Sequence, residues 1–205
     1  PNDLCIFTAP ELDHGAANMP QPPAPGVGAD GKRRLPWQNW SGYQSSLPDA
    51  RIAPKTEAEL AALLADSTGT VRPVGSGHSF TPLVPTDDTI VSLRHFSGLR
   101  SHDPEAMTAT LGAGTKLGQL GAPLHAIGQA MINMPDIDAQ TLAGSISTGT
   151  HGTGERLGAL HSAVTSLRLV TPTGDTLVCS ADENPEVFDA ARVSLGALGG
   201  ITEVT

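Results

Sequence analysis

Aromatic side chains are scarce, at 3% of 205 residues, so any core must be built from Leu, Val, Ile and Ala. Cysteine occurs twice, as Cys5 and Cys179, far apart and without metal-site spacing. One disulfide and two thiols are both open readings. No apolar run approaches the roughly 20 residues that cross a bilayer. Excess positive charge is missing as well: 12 basic against 21 acidic residues give a net charge of −9. That balance argues against nucleic acid or an anionic membrane as partner, because both select a basic surface. The one basic cluster, Lys32-Arg33-Arg34, is too short to reverse it. No initiator methionine precedes Pro1 and no signal-like segment follows it. The chain therefore reads as processed or trimmed, a soluble protein that is cytoplasmic or exported after processing.

What is present suits one good-sized domain. Residues 1–35 are rich in proline and glycine, as in Gln21-Pro22-Pro23-Ala24-Pro25-Gly26, and read as an extended arm with Leu4, Ile6 and Phe7 near its tip. Pro36 to Pro48 holds both tryptophans, and such a run is read as an anchor on the core rather than a ligand contact. Thr56 and Glu59 form a capping box that opens a helix running to about Ala65. Strands are expected at Thr70–Val74, Thr89–Leu93 and Met107–Leu111. Thr115 reads as the cap of a helix bearing Leu117, Leu120 and Leu124, kinked or restarted at Pro123 and ended at Gly128. Val164–Val170 and Thr176–Cys179 form a hairpin about Pro172-Thr173-Gly174-Asp175. Asn184 and Pro185 open a helix to about Val193, and Gly200–Thr205 is a final strand. Strands and helices intersperse without a regular βαβ repeat, so the class is α+β.

Chemistry concentrates in two glycine-rich stretches. Val71-Arg72-Pro73-Val74 runs into Gly75-Ser76-Gly77, a sharp turn whose consecutive N–H groups can converge on an anion. His78 leaves that turn beside whatever the anion belongs to. The tripeptide is neither G-x-G-x-x-G, since Phe80 replaces the third glycine, nor a Walker loop. The second stretch runs from Ala143 to Gly154 and also carries one histidine, His151. Together they suggest a long ligand contacted by backbone along its length. A zinc ion between His78 and His151 lacks a third ligand, so no metal site is expected. His151 reads as a structural imidazole more readily than as a base. Asp136 and Asp138 serve equally as turn residues or ligands.

These stretches, with Trp37-Gln38-Asn39-Trp40-Ser41-Gly42, Leu111-Gly112-Ala113-Gly114-Thr115 and Leu195-Gly196-Ala197-Leu198-Gly199, resemble the vanillyl-alcohol oxidase family, whose FAD domain is called PCMH-type. The likeness is nearest to its sugar-lactone and alditol oxidase branch and covers about residues 36–205, in the family's motif order. The resemblance implies a PCMH-type domain of two α+β subdomains over 36–205, following the arm over 1–35. It implies FAD contacts from Val74, Gly75, Ser76, Gly77 and Ser79, and a covalent bond from His78 to the flavin's 8α methyl. A hydrogen bond from His78 to a noncovalent flavin is the alternative. Ala113, Gly114 and Thr115 would lie beside the reactive edge of the ring, where a small residue leaves a path for O2. Pro135, Asp136, Gln140 and Thr141 would also contact cofactor. So would Gly144, Ser145, Ser147, Thr148, Gly149 and His151, with Ile201 on the last strand.

The implied activity is hydride transfer from an alcohol group of a sugar, polyol or aldonolactone to flavin N5, with O2 reduced to hydrogen peroxide. A dehydrogenase feeding a cytochrome or quinone, or a flavin-carrying subunit without catalysis, is the alternative. The family's substrate domain and catalytic base lie beyond this stretch, so a second polypeptide carrying them is the expected partner, alongside a small alcohol substrate and O2.

Overall fold

The computed structural model describes residues 23–205. Cys5 and the apolar tip at Leu4, Ile6 and Phe7 lie outside the described residues. Within the stretch read as an extended arm, β1 (Gly26–Val27) and β2 (Arg33–Arg34) pair as an antiparallel hairpin. Arg34 bridges Asp30 at 2.9 Å and Asp49 at 2.8 Å, which ties the hairpin to the body and engages one member of the basic cluster. A second short pair, β3 (Trp37–Gln38) and β4 (Ser45–Ser46), brackets the tryptophan segment.

Two sheets form the body. The smaller is parallel, with β5 (Ala50–Ile52) and β6 (Val71–Val74) flanking β7 (Thr89–Ser92). The crossover from β5 to β6 is α1 (Glu57–Asp66), which Thr56 opens by accepting from the Glu59 N–H at 3.1 Å. The reciprocal arm of the capping box lands one residue early: the Glu59 carboxylate accepts from the Lys55 N–H at 2.8 Å. Leu60 seats α1 on Val91, Leu93, Phe96 and Val170, all buried.

The larger sheet is antiparallel, built from β8 (Leu99–Asp103), β9 (Thr108–Gly112), β10 (Ser166–Val170), β11 (Thr176–Ser180) and β12 (Gly200–Val204) in the order β11-β10-β12-β9-β8. Its inner face, with Leu111, Leu167, Leu169, Ile201 and Val204, packs against Leu117, Leu120, Leu124, Leu142 and Ile146. Burying an aliphatic side chain of this size contributes about 1.5–3 kcal/mol, which offsets the lack of aromatics. Cys179 lies in this core and donates its S–H to the Leu167 carbonyl; burial raises its thiol pKa.

A half-buried ion pair joins the two halves. Arg168 on β10 donates to both carboxylate oxygens of Glu57 on α1, at 2.8 and 3.0 Å from Nε and 2.8 Å from Nη2. The hydroxyl of the fully buried Thr202 adds a third donor to Glu57 at 2.6 Å. The Arg168 guanidinium, opposed by partial burial, holds the Glu57 carboxyl below its ordinary pKa.

Three local expectations change. Thr115 does not cap a helix: its buried hydroxyl bonds to the Gly112 carbonyl at 2.5 Å and accepts from the Gly98 N–H at 2.9 Å. The segment after it is a 3-10 turn, Leu117–Gln119, followed by α2 (Gly121–Ala126), whose first turn takes Pro123, where no N–H is needed. Residues 142–147 form α3 (Leu142–Ser147), a helix inside the second glycine-rich stretch, with Thr141 as N-cap. Asn184 precedes α4 (Pro185–Ala191) in left-handed conformation and makes no side-chain cap; its amide donates to Val178 O at 2.8 Å instead.

Candidate functional site

The strand-to-turn passage Val74–Ser79 and α3 face each other across a cleft of about 790 Å³ between the two sheets. The turn forms one wall. Its Gly77 adopts φ +68, left-handed, which the following bend requires. A Cβ on Gly75 would stand 2.2 Å from the Thr141 hydroxyl, so only glycine lets the walls meet there. The Ser76 hydroxyl donates to the Ala139 carbonyl. Among the described residues, the N–H groups of Ser76, Gly77, His78 and Ser79 donate to no protein acceptor.

The tryptophan segment braces this turn from behind. Trp40 N–H donates to Gly77 O at 2.9 Å, and Asn39, buried, donates to Ser79 O at 3.0 Å. The Trp40 ring stacks on the His78 imidazole, with centroids 5.3 Å apart and planes 24° from parallel. Partial burial pushes the pKa of His78 down, and the nearby Lys116 charge adds to that shift, so the neutral imidazole is favoured near pH 7.

The opposite wall differs. The amides of α3 are already used: Leu142 donates to Thr115 O, Ala143 to Ala113 O and Ser145 to Thr141 O, while Gly144 donates to the Thr141 hydroxyl. Leu142, Ser145 and Ile146 turn into the core, leaving Ala143, Gly144, Ser147 and Thr148 toward the cleft at helical spacing. Thr148 spends its hydroxyl proton on Gly144 O at 2.9 Å but retains lone pairs as acceptors. Ala113, Gly114, Gln140, Thr141 and Ile201 complete this side. At Gly114 a Cβ would stand 2.2 Å from the Leu93 carbonyl, which fixes glycine at the floor.

The other residues expected at the cofactor lie off the cleft lining. Thr115 and Ser145 are buried with their hydroxyls bonded to Gly112 O and Leu142 O. Pro135, Asp136, Gly149 and His151 do not line it either, and the His151 ring is exposed with Nδ1 2.8 Å from Gly152 O. Trp40, Arg94 and Lys116 are among the lining residues that a reading of the sequence does not assign to the site. Trp40 had a signal, since it sits in the motif that resembles the family. Arg94 and Lys116 are isolated cations with none.

Among the described residues, no aspartate or glutamate lines the cleft, whereas Arg94, Lys116 and His78 do. In a chain of net charge −9 this is a local inversion of sign. With unused amides on one wall, it suits a long ligand with an anionic middle. Among the described residues, no three of His, Cys, Asp and Glu gather as a metal site.

Residues 48–180 match the FAD binding domain family. The chain belongs to that family. The unpaired amides, the cations and the absence of acid fit the pyrophosphate of FAD. The chain is also similar to L-gulono-1,4-lactone dehydrogenase of Mycobacterium tuberculosis, 40% identical over 172 residues, which cover 82% of this chain and 40% of that protein. D-arabinono-1,4-lactone oxidase of Eremothecium gossypii is 36% identical over 188 residues, covering 88% of this chain and 35% of that protein. L-gulonolactone oxidase of Bos taurus is 34% identical over 178 residues, covering 85% and 40%. The chain thus spans at most 40% of the length of these relatives. As an FAD binding domain it has a mixed α+β architecture, and no helix among its described residues is long and apolar enough to cross a membrane.

Proposed function

We propose that this chain is the FAD-holding part of an oxidoreductase that oxidises an alcohol group of a sugar, polyol or aldonolactone, with O2 as the electron acceptor. Residues 36–205 act as the cofactor unit and residues 1–35 as an appended arm. The observation that carries the reading is a cleft that, among the described residues, holds no acid and whose turn leaves the amides of Ser76 to Ser79 unused. Those amides, with Arg94 and Lys116, would hold the pyrophosphate. Val74, Gly75, Ala113 and Gly114 would border the rest of the cofactor, with Gln140, Thr141, Gly144, Ser147, Thr148 and Ile201 opposite. Bound there, FAD would supply a hydride acceptor for a carbinol C–H, with O2 as the terminal oxidant and hydrogen peroxide as its product.

The roles left to this chain are binding, orientation and exclusion of water. His78, kept neutral by burial and by Lys116, is the proposed point of covalent attachment to the flavin. Relatives roughly twice as long or more support placing the substrate pocket and catalytic base in further polypeptide, in this chain or a second one. An absorption spectrum of the purified protein, acid precipitation and in-gel fluorescence test the proposal. The expected result is a yellow pellet with a fluorescent band on this chain that is lost in His78→Ala. Protein that stays colourless with added FAD overturns it. The relative named as a dehydrogenase favours a second reading, with another electron acceptor in place of O2. Peroxide yield during turnover separates the two.

A further inference from the structure

Trp40 is the one large aromatic side chain stacked on His78, yet nothing in its packing demands a tryptophan. The residue is 41% exposed, and its structural tie to the turn is a backbone N–H bond that any residue but proline supplies. Trp37, in the same segment, is the buried anchor at 6%. Meanwhile neither ring nitrogen of His78 bonds to protein among the described residues, so no hydrogen bond fixes the imidazole. A histidine that must present a nitrogen lone pair to carbon gains from this arrangement. A hydrogen bond would occupy one edge of the ring, whereas a stacked neighbour restrains the plane and leaves both nitrogens free. The Phe80 ring packs edge-on against Trp40, with centroids 5.5 Å apart, and limits rotation of the indole.

We infer that Trp40 is the positioning residue for covalent attachment of the flavin to His78. This rests on the FAD reading above and adds to it the device that aims the nucleophile. In the step it serves, an imidazole nitrogen bonds to the flavin's 8α methyl carbon. That carbon gives up one C–H proton and the imidazole gives up its N–H proton. The two electrons released reduce the flavin, and O2 takes them with the two protons as hydrogen peroxide. Only the orientation of the ring belongs to Trp40. A reacting nitrogen displaced by an ångström slows such a step on the order of tenfold to a hundredfold.

The test uses the whole protein, as parent, Trp40→Leu and Trp40→Phe. The rate at which the chain acquires acid-stable fluorescent flavin, with the matching mass increase, is followed after FAD is added to apoprotein. Reversible FAD affinity is measured separately in a His78→Ala background with and without Trp40→Leu. Trp40→Leu is expected to slow attachment tenfold or more while leaving reversible affinity nearly unchanged. Trp40→Phe, which keeps a stacking ring, is expected to restore most of the rate. Attachment in Trp40→Leu at the parent's rate overturns the inference and leaves the proposed function standing. Equal losses in reversible affinity and attachment also overturn it, because Trp40 then supports the site as a whole. A parent that binds FAD only reversibly overturns this inference together with the covalent role of His78. A parent that binds none overturns the proposed function itself.

Discussion

The two glycine-rich stretches look alike as sequence and do opposite things. Gly75-Ser76-Gly77 ends a strand in a turn whose amides stay unused, and its shape is imposed from outside by Asn39, Trp40 and Ala139. Gly144 to Ser147 lies in a helix whose amides are consumed by its own cap and by the neighbouring Ala113 and Thr115 carbonyls. One wall offers donors; the other offers room, hydroxyl oxygens and a smooth surface. Glycine content therefore reports close packing of the backbone, but whether that backbone is free to bind depends on where each N–H is already spent.

Gly75→Val should break this contrast most severely. Its Cβ lands on the Thr141 hydroxyl, 2.2 Å away, so the substitution damages the donor wall and the cap of α3 together. Overpacking of this kind costs about 1–3 kcal/mol, and FAD uptake should fall more than tenfold in a flavin titration, well beyond the stability loss. Parent-like uptake would mean that the turn is not the anion-binding wall.

Next in size is the coupling between the halves that carry the walls. Glu57→Gln weakens the bonds to Arg168 and Thr202 and should lower unfolding stability by about 1–2 kcal/mol near pH 7, measured by denaturant. Because the folded-state pKa of Glu57 is depressed, its contribution is present above the unfolded value, about 4.3, and is lost as pH falls through the lower folded value. The difference between parent and variant should therefore shrink on acidification. A gap that stays constant down to low pH would rule out the ion pair as its source.

Thr141→Ala isolates the satisfied wall. Loss of the cap should cost about 1 kcal/mol, with FAD affinity falling far less than in Gly75→Val. If affinity drops as steeply in both, the two walls are not functionally distinct. The smallest effect belongs to Lys116→Met. Removing the second cause of the His78 shift should raise that imidazole's pKa slightly in an NMR titration, with burial still holding it below the ordinary value. A fall instead of a rise would show that Lys116 does not face His78.

The sequence speaks clearly where one residue type has one use. Thr56 and Glu59 mark the start of α1, and the Thr173-Gly174 turn marks the β10–β11 hairpin. The turn at Gly75 is visible because few other roles suit Gly-Ser-Gly after a β-rich run. Legibility falls where residues serve several ends. Gly, Ser and Thr dominate residues 144–150 and favour helix weakly, so no helix is expected where α3 lies, although Thr141 with Leu142 and Ile146 supplies its cap and its buried side. Thr115 and Ser145 have ligand-like hydroxyls that satisfy nearby carbonyls inside the core instead. Arg94 and Lys116 are invisible because the charge of a cleft is a property of tertiary placement. The anchor expected of the Pro36–Pro48 run is Trp37, buried, whereas Trp40 lines the cleft.

The position of β12 within the larger sheet governs the order in which the molecule can assemble. Strands β8 and β9, and strands β10 and β11, are sequence neighbours and can zip locally as hairpins. Neither hairpin pairs with the other: β12 is inserted between them, matching Val204 with Leu111 on one side and with Leu167 on the other. Such long-range pairing is slow to nucleate, since loop entropy is lost before contacts compensate it. During synthesis the inner edges of both hairpins stay open until residues 200–204 arrive, and these edges are the natural sites of mispairing. The same strand delivers Ile201 to the cleft and Thr202 to Glu57, so the cleft wall and the tie between the halves are complete only when the sheet closes.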